Sequence, residues 1–208
     1  MASPGLAPAL EGSTHEVGVG RAVTARGRQR AVFLDRDGTL NRAYVRGGVS
    51  VPPSCVEEFE LLPGVEEAVD QLRRADFKLV VVSNQPDVAR GTQVRANVDG
   101  INAALESQLP VDAVFCCFHD DSDGCGCRKP EPGLCLEAAT RLEIDLSRSF
   151  VVGDSWRDVE AGRRAGCTTV LLRVPYAVQR GHDPDFEADD LLEAAAIILR
   201  CSEEDQPT

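Results

Sequence analysis

Two aspartates, Asp35 and Asp37, stand at the end of the apolar run Ala31-Val32-Phe33-Leu34 and lead straight into Gly38-Thr39-Leu40-Asn41. A short apolar run of this kind reads as a buried strand. Side chains two residues apart share one face while a strand continues, and Gly38 permits a tight backbone path after it. Carboxylates held this close repel each other, so both ionise only with a cation between them. A hard divalent ion with oxygen ligands, such as Mg²⁺, is the natural one. A carboxylate in that position can also attack phosphorus. A plain strand end followed by an Asp-Gly turn would carry the same letters, so other parts of the chain must distinguish the two.

Apolar runs alternate with helical patterns along the rest of the chain. The residues predict strands at 31–35, 78–83, 111–117, 149–154 and 168–173. Helices are predicted over 64–75, opened by Pro63, and over 93–109, 133–144, 157–165 and about 188–200. Alternation of this sort gives an α/β fold, a doubly wound, Rossmann-like, mainly parallel sheet with helices on both faces. In such sheets ligands bind beyond the carboxyl ends of the strands. Asp35, Ser83 and Asp154 each fall at such an end.

With 208 residues the chain is long enough for one domain with a substantial core. Its net charge of −12 argues against binding a nucleic-acid backbone. No apolar run reaches the length of a membrane span, and residues 1–29, which lack an apolar segment, read as an N-terminal extension rather than a signal peptide. The expected organisation is this extension, one domain over 30–202 and a tail over 203–208. The expected compartment is the cytoplasm, and the expected state a monomer. Eight cysteines in that setting point to metal ligands and buried thiols rather than disulfides.

Further residues carry chemistry. Ser83, with Asn84 and Gln85, could meet a phosphate through its hydroxyl and the adjoining turn, although Ser/Asn turns after strands are common. Lys129 could neutralise phosphoryl charge, and Arg128 could grip a second anion bidentately; both could equally be solvated charges. Asp154 offers a third oxygen ligand, whereas Asp154 or Ser155 could instead cap the following helix. Asp158 could simply favour that helix's first turn. Cys117, His119, Cys125 and Cys127 form C-x-H-x₅-C-x-C, a spacing suited to a closed, tetrahedral, structural Zn²⁺ site over 117–127. Cys116 is expected to face the core, Cys55, Cys135, Cys167 and Cys201 to pack, and Asp120, Asp121 and Asp123 to be solvated.

The ordered set of acidic pair, hydroxyl, lysine and acid resembles the four motifs of the haloacid dehalogenase superfamily of phosphohydrolases over roughly residues 30–175. The zinc loop ending CGCRKPEPGL, with DRDGTLN, SNQ and ARG, resembles the D-glycero-D-manno-heptose-1,7-bisphosphate phosphatase family; histidinol-phosphate phosphatases are close relatives. The resemblance implies a Mg²⁺-dependent phosphomonoesterase with a structural Zn²⁺ and a minimal cap. It makes Asp35 the nucleophile, Asp37 the general acid/base, and Ser83 and Lys129 the phosphoryl-stabilising pair. Mg²⁺ falls to Asp35, the Asp37 carbonyl and Asp154, and Zn²⁺ to Cys117, His119, Cys125 and Cys127. Substrate contacts fall to Asn41, Ser83, Asn84, Gln85, Arg128, Lys129 and Ser155.

The chain departs from the family at Pro86-Asp87-Val88, where a small residue and glycine are usual, and at Ser155, where lysine is frequent. The His119–Cys125 gap is of the histidinol-phosphate type, while KPEPGL leans to the heptose family. The expected substrate is a small phosphate ester, heptose 1,7-bisphosphate before histidinol phosphate. A catalytically inactive, zinc-stabilised binding domain is the rival from another class; the intact acids and Lys129 argue against it.

Overall fold

The computed structural model describes residues 28–46, 49–176, 180–181 and 183–204. Most of the expected N-terminal extension and of the tail lies outside these residues. Six strands form one parallel sheet: β1 (Ala31–Leu34), β4 (Lys78–Asn84), β5 (Ala113–Cys117), β6 (Phe150–Gly153), β7 (Thr168–Leu172) and β8 (Phe186–Ala188). Their order is β5-β4-β1-β6-β7-β8. The sheet therefore winds outward in both directions from β1. The seam between β1 and β6 is the topological switch point, where such folds form their ligand crevice.

Strand alternation explains the two cores. Val32 and Leu34 face one layer with Val65, Leu72, Leu191 and Ile198, which come from α1 (Val65–Arg74) and α5 (Leu191–Glu204). Ala31 and Phe33 face the other with Leu134 and Ala138 of α3 (Gly133–Arg141) and Ala165 of α4 (Trp156–Ala165). All four β1 side chains are fully buried, each large one contributing about 1.5–3 kcal/mol of transfer free energy. That double burial is why β1 is a continuous apolar run rather than an alternating one. A further helix, α2 (Arg95–Gln108), buries Val98, Ile101 and Leu105.

Several elements differ from expectation. The helix expected over 133–144 ends at Arg141, and Glu143 then takes a left-handed backbone at φ 54°, which stops helical continuation. The strand expected from Val111 begins at Ala113. Two short pieces were not anticipated: β8 at the sheet edge, and an antiparallel hairpin of β2 (Tyr44–Arg46) and β3 (Val49–Val51). Three-residue strands carry too little periodicity to be read. The hairpin matters most, because it stands where a cap would and supplies part of the site wall. Among the described residues no helix is long and apolar enough to cross a membrane.

Candidate active site

The carboxyl ends of β1, β4 and β6 converge beside a cavity of about 380 Å³. At its base Asp35, from the end of β1, accepts a hydrogen bond from the Lys129 ammonium at 2.6 Å. The same Nζ lies 2.6 Å from an Asp158 oxygen and donates to the Val82 carbonyl at 2.8 Å. Asn84 fixes the lysine's backbone from both sides. Its amide donates to the Lys129 carbonyl at 2.9 Å and its carbonyl accepts the Lys129 N–H at 3.0 Å. Burial works against the charge on Lys129, but Asp158 and Asp35 outweigh it and raise the ammonium well above its ordinary value.

Asp37 is held by another set of donors. Arg36, fully buried, grips it with two nitrogens at 3.2 and 2.9 Å and reaches Asn102 of α2 with a third at 2.7 Å. Asn41 donates to one Asp37 oxygen at 3.0 Å and Gln85 to the other at 2.7 Å. Gln85 also donates to the Ser83 hydroxyl at 2.9 Å. Asn41, Ser83 and Gln85 are thus buried partners beneath the cavity floor rather than parts of its wall. Ser155 does line the cavity, and it also caps α4 through its hydroxyl.

Oxygens of Asp35, Asp154 and Asp158 lie within 4.8 Å of one another. Burial, together with the other acids, raises Asp35 well above its ordinary value despite the opposing pull of Lys129. Burial and the charge of Asp158 push Asp154 up to about 7. Three clustered carboxylates facing one ammonium carry excess negative charge, and that is the electrostatic condition a hard cation relieves. The residues fit Mg²⁺. The Asp37 carboxylate lies outside this group. Gly38, at φ 93°, is required here, since a Cβ would come 2.0 Å from Asp154 Oδ2.

Two members of the site carried no sequence signal strong enough to assign them. Asp158 sits in the first turn of α4 as expected, but it also pairs with Lys129. Tyr176, beyond β7, donates to Asp154 Oδ2 at 2.9 Å. Its position just past a strand's carboxyl end was the only available hint.

The second cluster brings Cys117, His119, Cys125 and Cys127 together. The thiol sulfurs lie 3.2–3.7 Å apart, and His119 Nδ1 is 3.4–3.5 Å from two of them. A tetrahedron with Zn–S bonds of about 2.3 Å has edges of about 3.8 Å, so the set is already near the right size. Burial pushes the Cys117 thiol up to about 12. Burial acts the same way on Cys125, but the Arg128 and Cys127 N–H groups outweigh it and bring that thiol to about 7. The donor set fits Zn²⁺. Cys116 is only half-buried, against Asn102, and stays outside the cluster. The loop aspartates are not simply solvated: Asp120 accepts from Arg90 at 3.0 Å and Asp121 from Arg128 at 2.7 Å.

The model of the haloacid dehalogenase-like hydrolase family matches residues 54–166, downstream of the Asp35–Asp37 pair. Over 161 residues the chain is 36% identical to the D-glycero-beta-D-manno-heptose-1,7-bisphosphate 7-phosphatase of Bordetella bronchiseptica, covering 74% of this chain and 82% of the relative. It is 34% identical to the Escherichia coli K12 enzyme of the same name over 187 residues, 82% and 94% of the two chains. The crystal structure of the B. bronchiseptica phosphatase complexed with magnesium and phosphate superposes with a TM-score of 0.71 at 34% identity, covering 83% of this chain and 99% of that one. A putative phosphatase of the same superfamily from Mesorhizobium loti gives 0.70 at 29% identity, covering 88% and 90%. Motif order, sheet topology and these likenesses agree: the chain belongs to the haloacid dehalogenase-like hydrolases, in the family of the D-glycero-beta-D-manno-heptose-1,7-bisphosphate 7-phosphatases.

Proposed function

We propose that this phosphatase hydrolyses D-glycero-D-manno-heptose 1,7-bisphosphate at the 7-phosphate through an aspartyl-phosphate on Asp35. Asp35 attacks phosphorus in line as the O–P bond to the sugar breaks. Asp37 gives its proton to the departing alkoxide and then takes one from the water that cleaves the aspartyl-phosphate. Lys129 balances charge on the transferring oxygens. Arg36, Asn41 and Gln85 aim Asp37, and Asn84 fixes Lys129; these four position rather than react. Mg²⁺, held by Asp35, Asp154 and the Asp37 carbonyl with Asp158 adjacent, would supply electrostatic stabilisation of phosphoryl charge when bound. Zn²⁺ on the Cys₃His set would brace the loop that carries Arg128 and Lys129.

The observation that carries the substrate class is spare positive charge in the cavity wall. Arg128 is tied to Asp121 through Nε, but its buried Nη1 has no protein partner. Arg157, from the first turn of α4, lines the same cavity; its guanidinium lies 4.9 Å over the Trp156 ring and its charge acts on Asp121, but among the described residues no acceptor hydrogen-bonds it. A cation in a helix's first turn opposes the macrodipole, and the ring of Trp156 is its local support. Both groups suit a second phosphate on the substrate. Histidinol phosphate would instead present an amine and need a free acid. The rim acids are already engaged, Asp87 and Asp120 by Arg90 and Asp121 by Arg128. Arg157 also offers a cation near Ser155, where the family's lysine is missing.

A substrate panel with Mg²⁺ tests this. The heptose bisphosphate should give the higher kcat/KM, and Arg128→Ala and Arg157→Ala should each narrow its lead over histidinol phosphate. A clear preference of the wild type for histidinol phosphate would overturn the substrate assignment and leave phosphatase chemistry standing.

A further inference from the structure

Tyr176 belongs to none of the motifs above. Its hydroxyl donates to Asp154 Oδ2 at 2.9 Å, and Ser50 of β3 is a polar neighbour of the phenol. A phenol has one proton. Asp154 accepts it, and that bond sets the rotation of the hydroxyl. A Cβ on Gly38 would come 2.7 Å from this hydroxyl as well as striking Asp154. The turn after β1, the end of β6 and the loop after β7 therefore meet at a single carboxylate oxygen.

A carboxylate that binds a cation uses one oxygen for the ion, and the partner of the other oxygen sets the plane of the group. A lysine or arginine there would compete with the ion by neutralising the acid. A neutral phenol orients the carboxylate and leaves its charge in place. Burial and the charge of Asp154 both raise the Tyr176 phenol, which keeps its proton on the oxygen at neutral pH.

We propose that Tyr176 is a positioning residue for the cation site: its hydroxyl holds Asp154 Oδ2 and so fixes the plane of a carboxylate clustered with Asp35 and Asp158. This rests on Asp35 and Asp154 as the Mg²⁺ carboxylates. Its consequence is that Mg²⁺ affinity depends on a hydroxyl outside the acidic motifs.

The test is Mg²⁺ binding to the full-length protein by titration calorimetry, without substrate. Tyr176→Phe should weaken binding about 3- to 10-fold, the scale of one lost hydrogen bond. The chain has two tyrosines, so Tyr44→Phe leaves Tyr176 as the sole tyrosine. In that background Mg²⁺ should shift the tyrosine absorption band, because the acceptor of its proton loses charge. Asp154→Asn is the control. If it binds Mg²⁺ as the wild type does, the cation assignment itself fails and this inference with it. If Asp154→Asn loses binding while Tyr176→Phe retains wild-type affinity, the inference alone is overturned. Should Tyr176→Phe not fold, a tyrosine band that Mg²⁺ leaves unmoved in Tyr44→Phe overturns it equally. A purely structural tyrosine would lower the melting temperature without Mg²⁺ and leave the affinity untouched.

Discussion

Asp35 and Asp37 sit two residues apart in entirely different surroundings. Asp35 faces Lys129 and two further acids, whereas Asp37 is enclosed by Arg36, Asn41 and Gln85. The division of labour follows from this. Asp35→Asn is expected to remove turnover altogether with the fold retained, as circular dichroism and phosphate release would establish. Asp37→Asn keeps the shape and loses proton transfer, a drop of about 10²- to 10⁴-fold in kcat. Asn41→Ala should lower kcat while leaving KM within a small factor, since the side chain is fully buried and touches Asp37 rather than the cavity. A large rise in KM without loss of kcat would restore Asn41 as a substrate contact. The acids were legible because two carboxylates in one strand-turn junction need a chemical reason. Arg36, between them, was not. A charged letter inside a motif gives no hint that its guanidinium is fully buried and braced on Asn102, 66 residues away.

At the scale of elements, the zinc loop joins β5 to α3. Cys117 ends β5, and the Gly133 N–H at the start of α3 donates to the Gly126 carbonyl at 3.0 Å. A Cβ at Gly133 would come 2.2 Å from that carbonyl oxygen. Gly133→Ala should therefore cost about 1–3 kcal/mol, visible as a lower melting temperature and, because Lys129 rides on the same loop, as lower activity. Cys125→Ser should lower zinc content and thermal stability together. Protein purified without chelator is expected to hold one zinc per chain, and metal analysis finding none would refute the Cys₃His site. The ligand spacing was plain in the sequence, as zinc imposes a pattern on cysteine and histidine. The hairpin was not, because its strands are three residues long and their pairing is fixed by tertiary position. Tyr176 was hidden for a related reason: its partner Asp154 is 22 residues away, and nothing periodic connects them.

For the molecule as a whole, acid stability should depend on Asp112. This carboxylate accepts from Arg73 of α1 at 2.7 Å, from Lys78 at 2.7 Å and from the Leu79 N–H at 2.8 Å, so it ties a helix and β4 to the start of β5. Burial opposes its charge, but Lys78, the Leu79 N–H and Arg73 outweigh it and lower its pKa. A carboxyl lowered on folding stabilises fully above its unfolded value, about 3.9, and loses that contribution as the pH falls through the folded value. Asp112→Asn should thus be less stable at pH 7 by about 1–3 kcal/mol, and the gap to the wild type should close as the pH drops below about 4. Denaturant titrations at pH 7 and pH 3 would measure both.

The layout of the cavity also separates two inheritances. The reacting acids stand at the ends of β1 and β6, strands buried on both faces. The wall that meets the rest of the substrate comes from elsewhere: Ser50 and Val51 of the hairpin with Pro52 after it, Asp87 and Arg90 of a turn, Arg128 of the zinc loop and Arg157 of α4. None of these wall residues stands on β1 or β6. Descendants of this scaffold can therefore exchange one phosphate ester for another by changing a few loop letters, while hydrolysis itself passes unaltered from ancestor to heir.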